Sequence, residues 1–439
     1  MFNHNSIKLG TFLHTITFLR HSQWWSKEKL EEYQLQQLKK LLNHAYTNVP
    51  YYTKMFNSLK LKPNNIKSFQ DLQILPYLTK EIIRNNIDDL KAKIYPEQKF
   101  EKSYTGSTTG KPLQFYVEKG EWAAQIVAYG SIQMNWAGRT FFNKCVQISG
   151  YIEKPYQYKI FGRALVLSSF HMNDKYLPLF IKKIKKFKPK HILSYPSAIT
   201  NLAIYIKRNN LEGFSSVKSI LCHAETLYEW QRELLEETFQ CYVHNQYGQT
   251  EPTVFGGSCK HSNYIHMFPE FGISELIGKN GKPVKKEGEI GEIVGTGFHT
   301  YIFPFIRYRT GDLGVYTNKK CSCGRNYPLI ERIEGRSQEF IVSKSKKLIP
   351  LTGVYGLVAK CSQNVNDVQL YQDTEGEIII NIEKRKGYTF EDSNKIKNNF
   401  QKRFGDDFII KINSVDTIPL TKTGKYQFLN QKLDIDFFQ

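Results

Sequence analysis

Apolar and polar positions follow two different periods along this chain. After Ser26, a residue type that caps helix N-termini, Leu30, Tyr33, Leu38, Leu41, Leu42 and Ala45 recur at helical spacing up to Pro50. That spacing predicts an amphipathic helix. Towards the other end the period changes. Val368–Arg385 reads as two β-rich runs around Glu375-Gly376, which predicts a hairpin. Phe390–Phe404 returns to helical spacing, and Phe408–Val415 reads as a further strand. The tail is therefore expected to be a compact β-β-α-β unit. In between, helical periods mix with short β-branched runs, as in an α/β protein. A linker is expected near Glu334–Gln338, which divides the chain into a large α/β domain over 1–336 and a small α+β domain over 337–439.

Composition narrows the class. With 439 residues, 41% hydrophobic and 14% aromatic, the chain can bury a sizeable core, which excludes a disordered protein. No apolar run reaches the ~20 residues a membrane span needs. Ile7–Leu19 is apolar in patches but carries Lys8 and His14 and no cleavage signal, so it reads as mature protein. Seven cysteines, an odd number without framework spacing, fit a reducing cytoplasm with metal binding or burial as their uses. The formal charge of +20 would attract nucleic acid, anionic lipid or anionic substrates. Its densest run, Lys182–Lys190, reads as the solvated face of an amphipathic helix, with a polyanion, acidic-carrier or membrane-surface role as the other reading.

The chemistry lies in spaced motifs. Thr105-Gly106-Ser107-Thr108-Thr109-Gly110-Lys111-Pro112 combines two glycines with a set of hydroxyls, a pattern whose N–H and O–H donors suit a polyphosphate. It is not a Walker A loop, because three residues separate the glycines and Pro112 follows the lysine. About 135 residues on comes Tyr247-Gly248-Gln249-Thr250-Glu251. Tyr308-Arg309-Thr310-Gly311-Asp312-Leu313, Gly335-Arg336 and Pro419-Leu420-Thr421-Lys422-Thr423-Gly424-Lys425 follow in that order.

Together these five segments resemble the adenylate-forming superfamily. Within it the chain is similar to the phenylacetate–CoA ligase family, in the branch associated with capsular-polysaccharide biosynthesis. Pro50-Tyr51-Tyr52 and Leu75-Pro76-Tyr77-Leu78-Thr79-Lys80 match that branch too, so the resemblance runs from about Ser26 to Gln427. It implies a large adenylation domain with a small lid, and a two-step reaction. A carboxylic acid and MgATP give acyl-AMP, and a nucleophile then displaces AMP. By the same resemblance Thr105 to Lys111 hold phosphates, and Tyr247, Gly248 and Thr250 lie on the nucleotide. Glu251 holds Mg²⁺, Asp312 takes the ribose hydroxyls, and Arg336 takes ribose or phosphate oxygens. Lys425 neutralises charge at the α-phosphate, with Lys422 close enough to be mistaken for it. Glu225 falls in a loop on the adenine side, where a carboxylate at the start of a helix is an equal reading. The loop reads Thr-Gly-Ser where the family often has Ser-Ser-Gly or Thr-Ser-Gly, and Gln338 stands where the family has its hinge Asp.

Cys321-Ser322-Cys323 is a C-x-C knuckle, with Cys259, His261 and His266 upstream. Two thiolates from one turn plus a Cys and a His suit a tetrahedral structural zinc. The family match selects Cys259, His266, Cys321 and Cys323, with His261 as rival to His266. Cys145, Cys222, Cys241 and Cys361 are expected to be buried small apolar residues. The cofactors implied are ATP, Mg²⁺, structural Zn²⁺ and CoA. The acceptor is CoA, a carrier thiol or an amino sugar, the last making the enzyme an amide-forming ligase. Nucleic acid is not expected as a partner. A basic zinc protein that binds it is the reading from another class, and it leaves the five motifs unexplained.

Overall fold

The computed structural model describes residues 7–105, 112–140, 142–150, 152–351 and 364–438. The chain forms two compact units, one made of residues up to Thr140 with His244–Thr310 and Gly314–Ile333, the other of Phe141–Val243, Gly311–Leu313 and Glu334–Gln439. Among the described residues, no helix is long and apolar enough to cross a membrane.

In the first unit, the expected N-terminal helix runs over Lys27–Asn48, and the Ser26 side chain accepts from the Lys29 N–H. Its apolar stripe, including Leu30, Leu38, Leu41, Leu42 and Ala45, is buried. Each leucine so buried contributes about 1.5–3 kcal/mol. Val49 is extended, as a residue before proline prefers, and Pro50 opens the next helix, Pro50–Ser58. On the helix Glu121–Trp136, Tyr129 is surrounded by Phe255 of the strand Phe255–Cys259 and by Phe268 and Phe271 of the connection between the strands Ser262–Met267 and Gly272–Ile277. An antiparallel pair, Phe100–Tyr104 with Gln114–Glu118, frames the phosphate-loop motif.

The second unit has a parallel core. Ser219–His223, His191–Ser194, Cys145–Ser149 and Ala164–Ser168 lie side by side in parallel, with Tyr156–Lys159 antiparallel at the edge. The four parallel strands are buried on both faces, as in a covered parallel sheet. The basic run falls on the helix Leu177–Phe187. Phe180, Ile181, Ile184 and Phe187 are buried there, while Lys182, Lys185 and Lys186 are exposed.

The tail forms as its pattern predicts. Val365–Gln372 and Glu377–Lys384 make the antiparallel hairpin, Phe390–Phe404 is a helix, and Ile409–Val415 pairs in parallel with Glu377–Lys384. A short strand, Leu429–Gln431, adds a fourth member beside Val365–Gln372. Thr389 and Asp392 form the reciprocal cap of the tail helix.

Candidate active site and metal centre

Lys425 sits at the end of a tight turn. The Gly424 N–H donates to the Thr421 carbonyl at 2.8 Å, the Lys425 N–H to the Thr421 hydroxyl at 3.1 Å, and Gly424 has φ +71°. The Thr-Lys-Thr-Gly sequence makes this turn because glycine takes the left-handed place and threonine hydroxyls bond nearby backbone. Ser169 then anchors it, its hydroxyl donating to the Gly424 carbonyl at 2.9 Å. Gly150 lies against the same turn so closely that a Cβ there would fall 2.0 Å from the Thr423 carbonyl oxygen. Lys422 points to solvent, whereas Lys425 is half-buried.

The surroundings of Lys425 are polar and charged. Its Nζ lies 5.9 Å from the Tyr195 ring centroid. Burial lowers its pKa below that of an ordinary lysine, and the negative charge of Glu225 partly restores it. Glu225 accepts from the Ser197 N–H at 3.0 Å, the Ser197 hydroxyl at 3.1 Å and the Tyr426 N–H at 3.0 Å. It thus caps the helix Pro196–Arg208 at its positive end and holds the residue after Lys425. Burial raises its pKa, and the hydrogen bonds from Ser197 oppose the rise.

Arg336 donates from Nε to Asp312 at 3.3 Å, and its backbone N–H donates to Glu339 at 3.2 Å. Glu339 also takes the Thr226 hydroxyl at 3.5 Å, and burial raises its pKa against the pull of Arg336. Gln338, in the hinge place, instead donates to the Ile435 carbonyl at 3.3 Å. Two residues of this cluster were missed from sequence. Glu339 carried a signal, an acidic residue one place beyond the expected Asp. His223 carried none. Its ring packs on Tyr195, and burial, followed by the charge of Lys425, depresses its pKa to about 4.

In the first unit Glu251 is buried and accepts from the Tyr308 hydroxyl at 2.7 Å, leaving its second oxygen available to a cation. Tyr247 is also buried, packed with Val254, Ile265, Met267, Ile293 and Ile330. Gly248 is exposed at the strand end and Thr250 half-buried beyond it. Thr105 closes the base of the phosphate loop, donating its N–H to the Leu113 carbonyl and accepting the Leu113 N–H on its hydroxyl at 2.9 Å. Gly106, Ser107, Thr108, Thr109, Gly110 and Lys111 lie outside the described residues, as does Cys361.

Cys259, His266, Cys321 and Cys323 come together within the first unit, their ligand atoms all within 4.8 Å of one another. Cys259 Sγ lies 3.5 Å from Cys321 Sγ, and Cys323 Sγ lies 3.3 Å from His266 Nε2. His266 Nδ1 is 3.2 Å from the Tyr264 carbonyl. Donation there leaves Nε2 as the ligand atom. Gly324, at φ +83°, lets the knuckle turn back on itself. The Ser262 hydroxyl donates to Cys321 at 3.2 Å, and the backbone of His261 donates to Cys259 at 3.3 Å, while the His261 residue itself is exposed. The four side chains can hold one metal ion. Cys145 and Cys222 are buried, and Cys241 is half-buried.

Residues 341–432 match the family described as the CapK C-terminal domain. Protein CapK of Staphylococcus aureus is 28% identical over 416 residues, covering 91% of this chain and 88% of CapK. Phenylacetate–coenzyme A ligase of Thermus thermophilus is 24% identical over 366 residues, covering 80% of each chain. Among solved structures, 2-hydroxyisobutyryl-CoA ligase in the postadenylation state with 2-HIB-AMP superposes with a TM-score of 0.74 at 16% identity, covering 94% of this chain and 93% of that one. The chain is thus similar to CapK and to the phenylacetate–coenzyme A ligases, and it shares its fold with a 2-hydroxyisobutyryl-CoA ligase structure.

Proposed function

We propose that this chain is an AMP-forming acid–thiol ligase, which activates a carboxylic acid as acyl-AMP and passes the acyl group to CoA. The observation that carries this reading is the setting of Lys425. A half-buried lysine on a Gly-seated turn shares one compact unit with Asp312 and Arg336, the residues suited to ribose and phosphate oxygens. The curated relatives named as phenylacetate–coenzyme A ligases support the same chemistry.

The roles follow from charge. Attack of the carboxylate on the α-phosphate expels pyrophosphate and concentrates negative charge, which a fixed cation in a dry site stabilises more than water does. Lys425 supplies that cation. Asp312 accepts the ribose hydroxyls and Arg336 orients Asp312. Glu251 would hold Mg²⁺, which neutralises phosphate oxygens. Residues 337–439 act as the lid over the 1–336 domain. The four-ligand cluster would hold Zn²⁺. Tetrahedral zinc with sulfur at ~2.3 Å and nitrogen at ~2.0 Å implies S–S and S–N edges of about 3.8 and 3.5 Å, beside 3.5 Å between Cys259 and Cys321 and 3.3 Å between Cys323 and His266. With all four positions filled by protein the role is structural.

The test is purified protein with MgATP and a panel of aryl, fatty, hydroxy and amino acids, followed by ATP–pyrophosphate exchange and then by CoA and amino-sugar acceptors. The expected nucleotide product is AMP, and Lys425→Ala should slow exchange by about 10²–10³-fold with little change in ATP affinity. ADP as product, or an unaffected Lys425→Ala, overturns the proposal.

A further inference from the structure

The edge hairpin of the second unit ends in an unusual turn. Tyr156–Lys159 and Ala164–Ser168 pair antiparallel, and the Arg163 N–H closes the turn on the Ile160 carbonyl at 3.0 Å. Ile160, Phe161 and Gly162 have φ of 54°, 50° and 77°. A turn with both central residues left-handed favours Asn-Gly, because asparagine tolerates that region and β-branched or aromatic residues do not. Here the two central places go to Phe161 and Gly162, Ile160 before them is left-handed as well, and neither Ile160 nor Phe161 is buried in return. Ile160 is 51% exposed and Phe161 fully so. The backbone is strained to hold two large apolar side chains out in water.

The ground around this tip is strongly basic. Between residues 142 and 190 stand eleven Lys and Arg against two acidic residues, Glu153 and Asp174, so this stretch supplies close to half of the chain's +20. Asp174 is itself paired with Arg208 at 2.8 Å. Ring contacts join the hairpin to the lysine helix: Lys183 Nζ lies 3.9 Å from the Tyr156 ring centroid, and Tyr158 packs on Phe187 at 5.9 Å. The tip and the exposed Lys182, Lys185 and Lys186 therefore belong to one connected surface.

We infer that this surface docks on an anionic lipid bilayer, with Ile160 and Phe161 entering the interface and the lysines meeting headgroup charge. Charge complementarity alone would suit any polyanion. An exposed Ile-Phe wedge in a strained turn suits only a partner with an apolar interior within reach of its charged surface. The inference stands apart from the adenylation reading, since none of these residues belongs to the site above.

The experiment is flotation of the full chain with vesicles of phosphatidylcholine alone and of equal parts phosphatidylcholine and phosphatidylglycerol. Binding is expected only to the anionic vesicles, and to fall when salt rises from about 0.1 M to about 1 M as the Debye length shrinks from ~10 to ~3 Å. Phe161→Asn should weaken it at least tenfold, since burying a phenylalanine ring contributes about that factor or more. The same change suits the turn better, so thermal stability should hold or rise. Lys182→Glu/Lys185→Glu/Lys186→Glu should abolish binding, and both variants should keep wild-type pyrophosphate exchange. Equal binding to neutral vesicles, no binding at all, or Phe161→Asn binding lipid as wild type does would each overturn the inference. Tight binding to heparin or RNA that is indifferent to Phe161→Asn, without vesicle binding, would assign the lysines to a soluble polyanion instead.

Discussion

Gly150→Ala tests whether the Lys425 turn is held where the chemistry needs it. The added Cβ would lie 2.0 Å from the Thr423 carbonyl oxygen, 2.6 Å from its carbon and 3.0 Å from the Gly424 Cα. All three are backbone atoms, so no side-chain rotation relieves the clash. To restore even a 3.0 Å contact the turn must retreat by about 1 Å. Ser169 opposes the retreat through its 2.9 Å hydrogen bond to Gly424. The overpacking should cost about 1–3 kcal/mol of stability, and a displacement of about 1 Å in a catalytic group can cost about 10²-fold in rate. Pyrophosphate exchange should therefore fall by about that factor, with ATP affinity nearly unchanged and the melting temperature a few degrees lower. Transfer from supplied acyl-AMP to CoA should be spared if the lid has moved the turn away by then. A folded Gly150→Ala protein with wild-type exchange would refute the reasoning, because the turn would then not be seated on Gly150 during activation.

Two further outcomes follow from the first unit. Protein purified without added metal should contain about one zinc per chain, and Cys323→Ser should lose it together with thermal stability, as elemental analysis and melting curves would show; metal-free wild-type protein of full stability would leave the thiols unliganded. His299, hydrogen-bonded to Tyr129 at 2.8 Å, has its pKa depressed by burial from 6.5 to about 4. Between those values the unfolded ring binds a proton that the folded one does not, so the contribution to stability is complete above pH 6.5 and is lost as pH falls towards 4. At about 1.4 kcal/mol per pH unit, discounted because the residue keeps some exposure, the loss is on the order of 2 kcal/mol, and the difference between wild type and His299→Gln in melts from pH 7 to pH 4 should show it; identical pH profiles would remove His299 from the acid response.

Local signals carried the elements that formed as predicted. The helix Lys27–Asn48 was legible because a capping serine, a one-sided apolar stripe and a terminal proline all act within a few residues of one another. The tail was legible for the same reason, except for Leu429–Gln431, a three-residue strand too short to show a period. The motif holding Lys425 could be read because its turn chemistry is local.

By itself, then, the sequence determined the α/β character, the helix and tail elements, the motif residues and a choice of metal ligands. Tertiary structure decided what lies beside them. Only folding buries Lys425 rather than Lys422, since both stand in the same polar stretch and differ in which one faces the Tyr195 and Glu225 side. Only folding separates His266, buried on its strand with Nε2 towards Cys323, from the exposed His261 five residues earlier. Glu339, Ser169 and Gly150 join the site through contacts with distant segments, that of Ser169 with Gly424 spanning 255 positions. Likewise the bare Phe161 tip is ordinary in composition and unusual only in backbone angle and exposure. Burial and close approach are properties of pairs of distant segments, and the order of residues along a chain encodes them only through the packing of the whole.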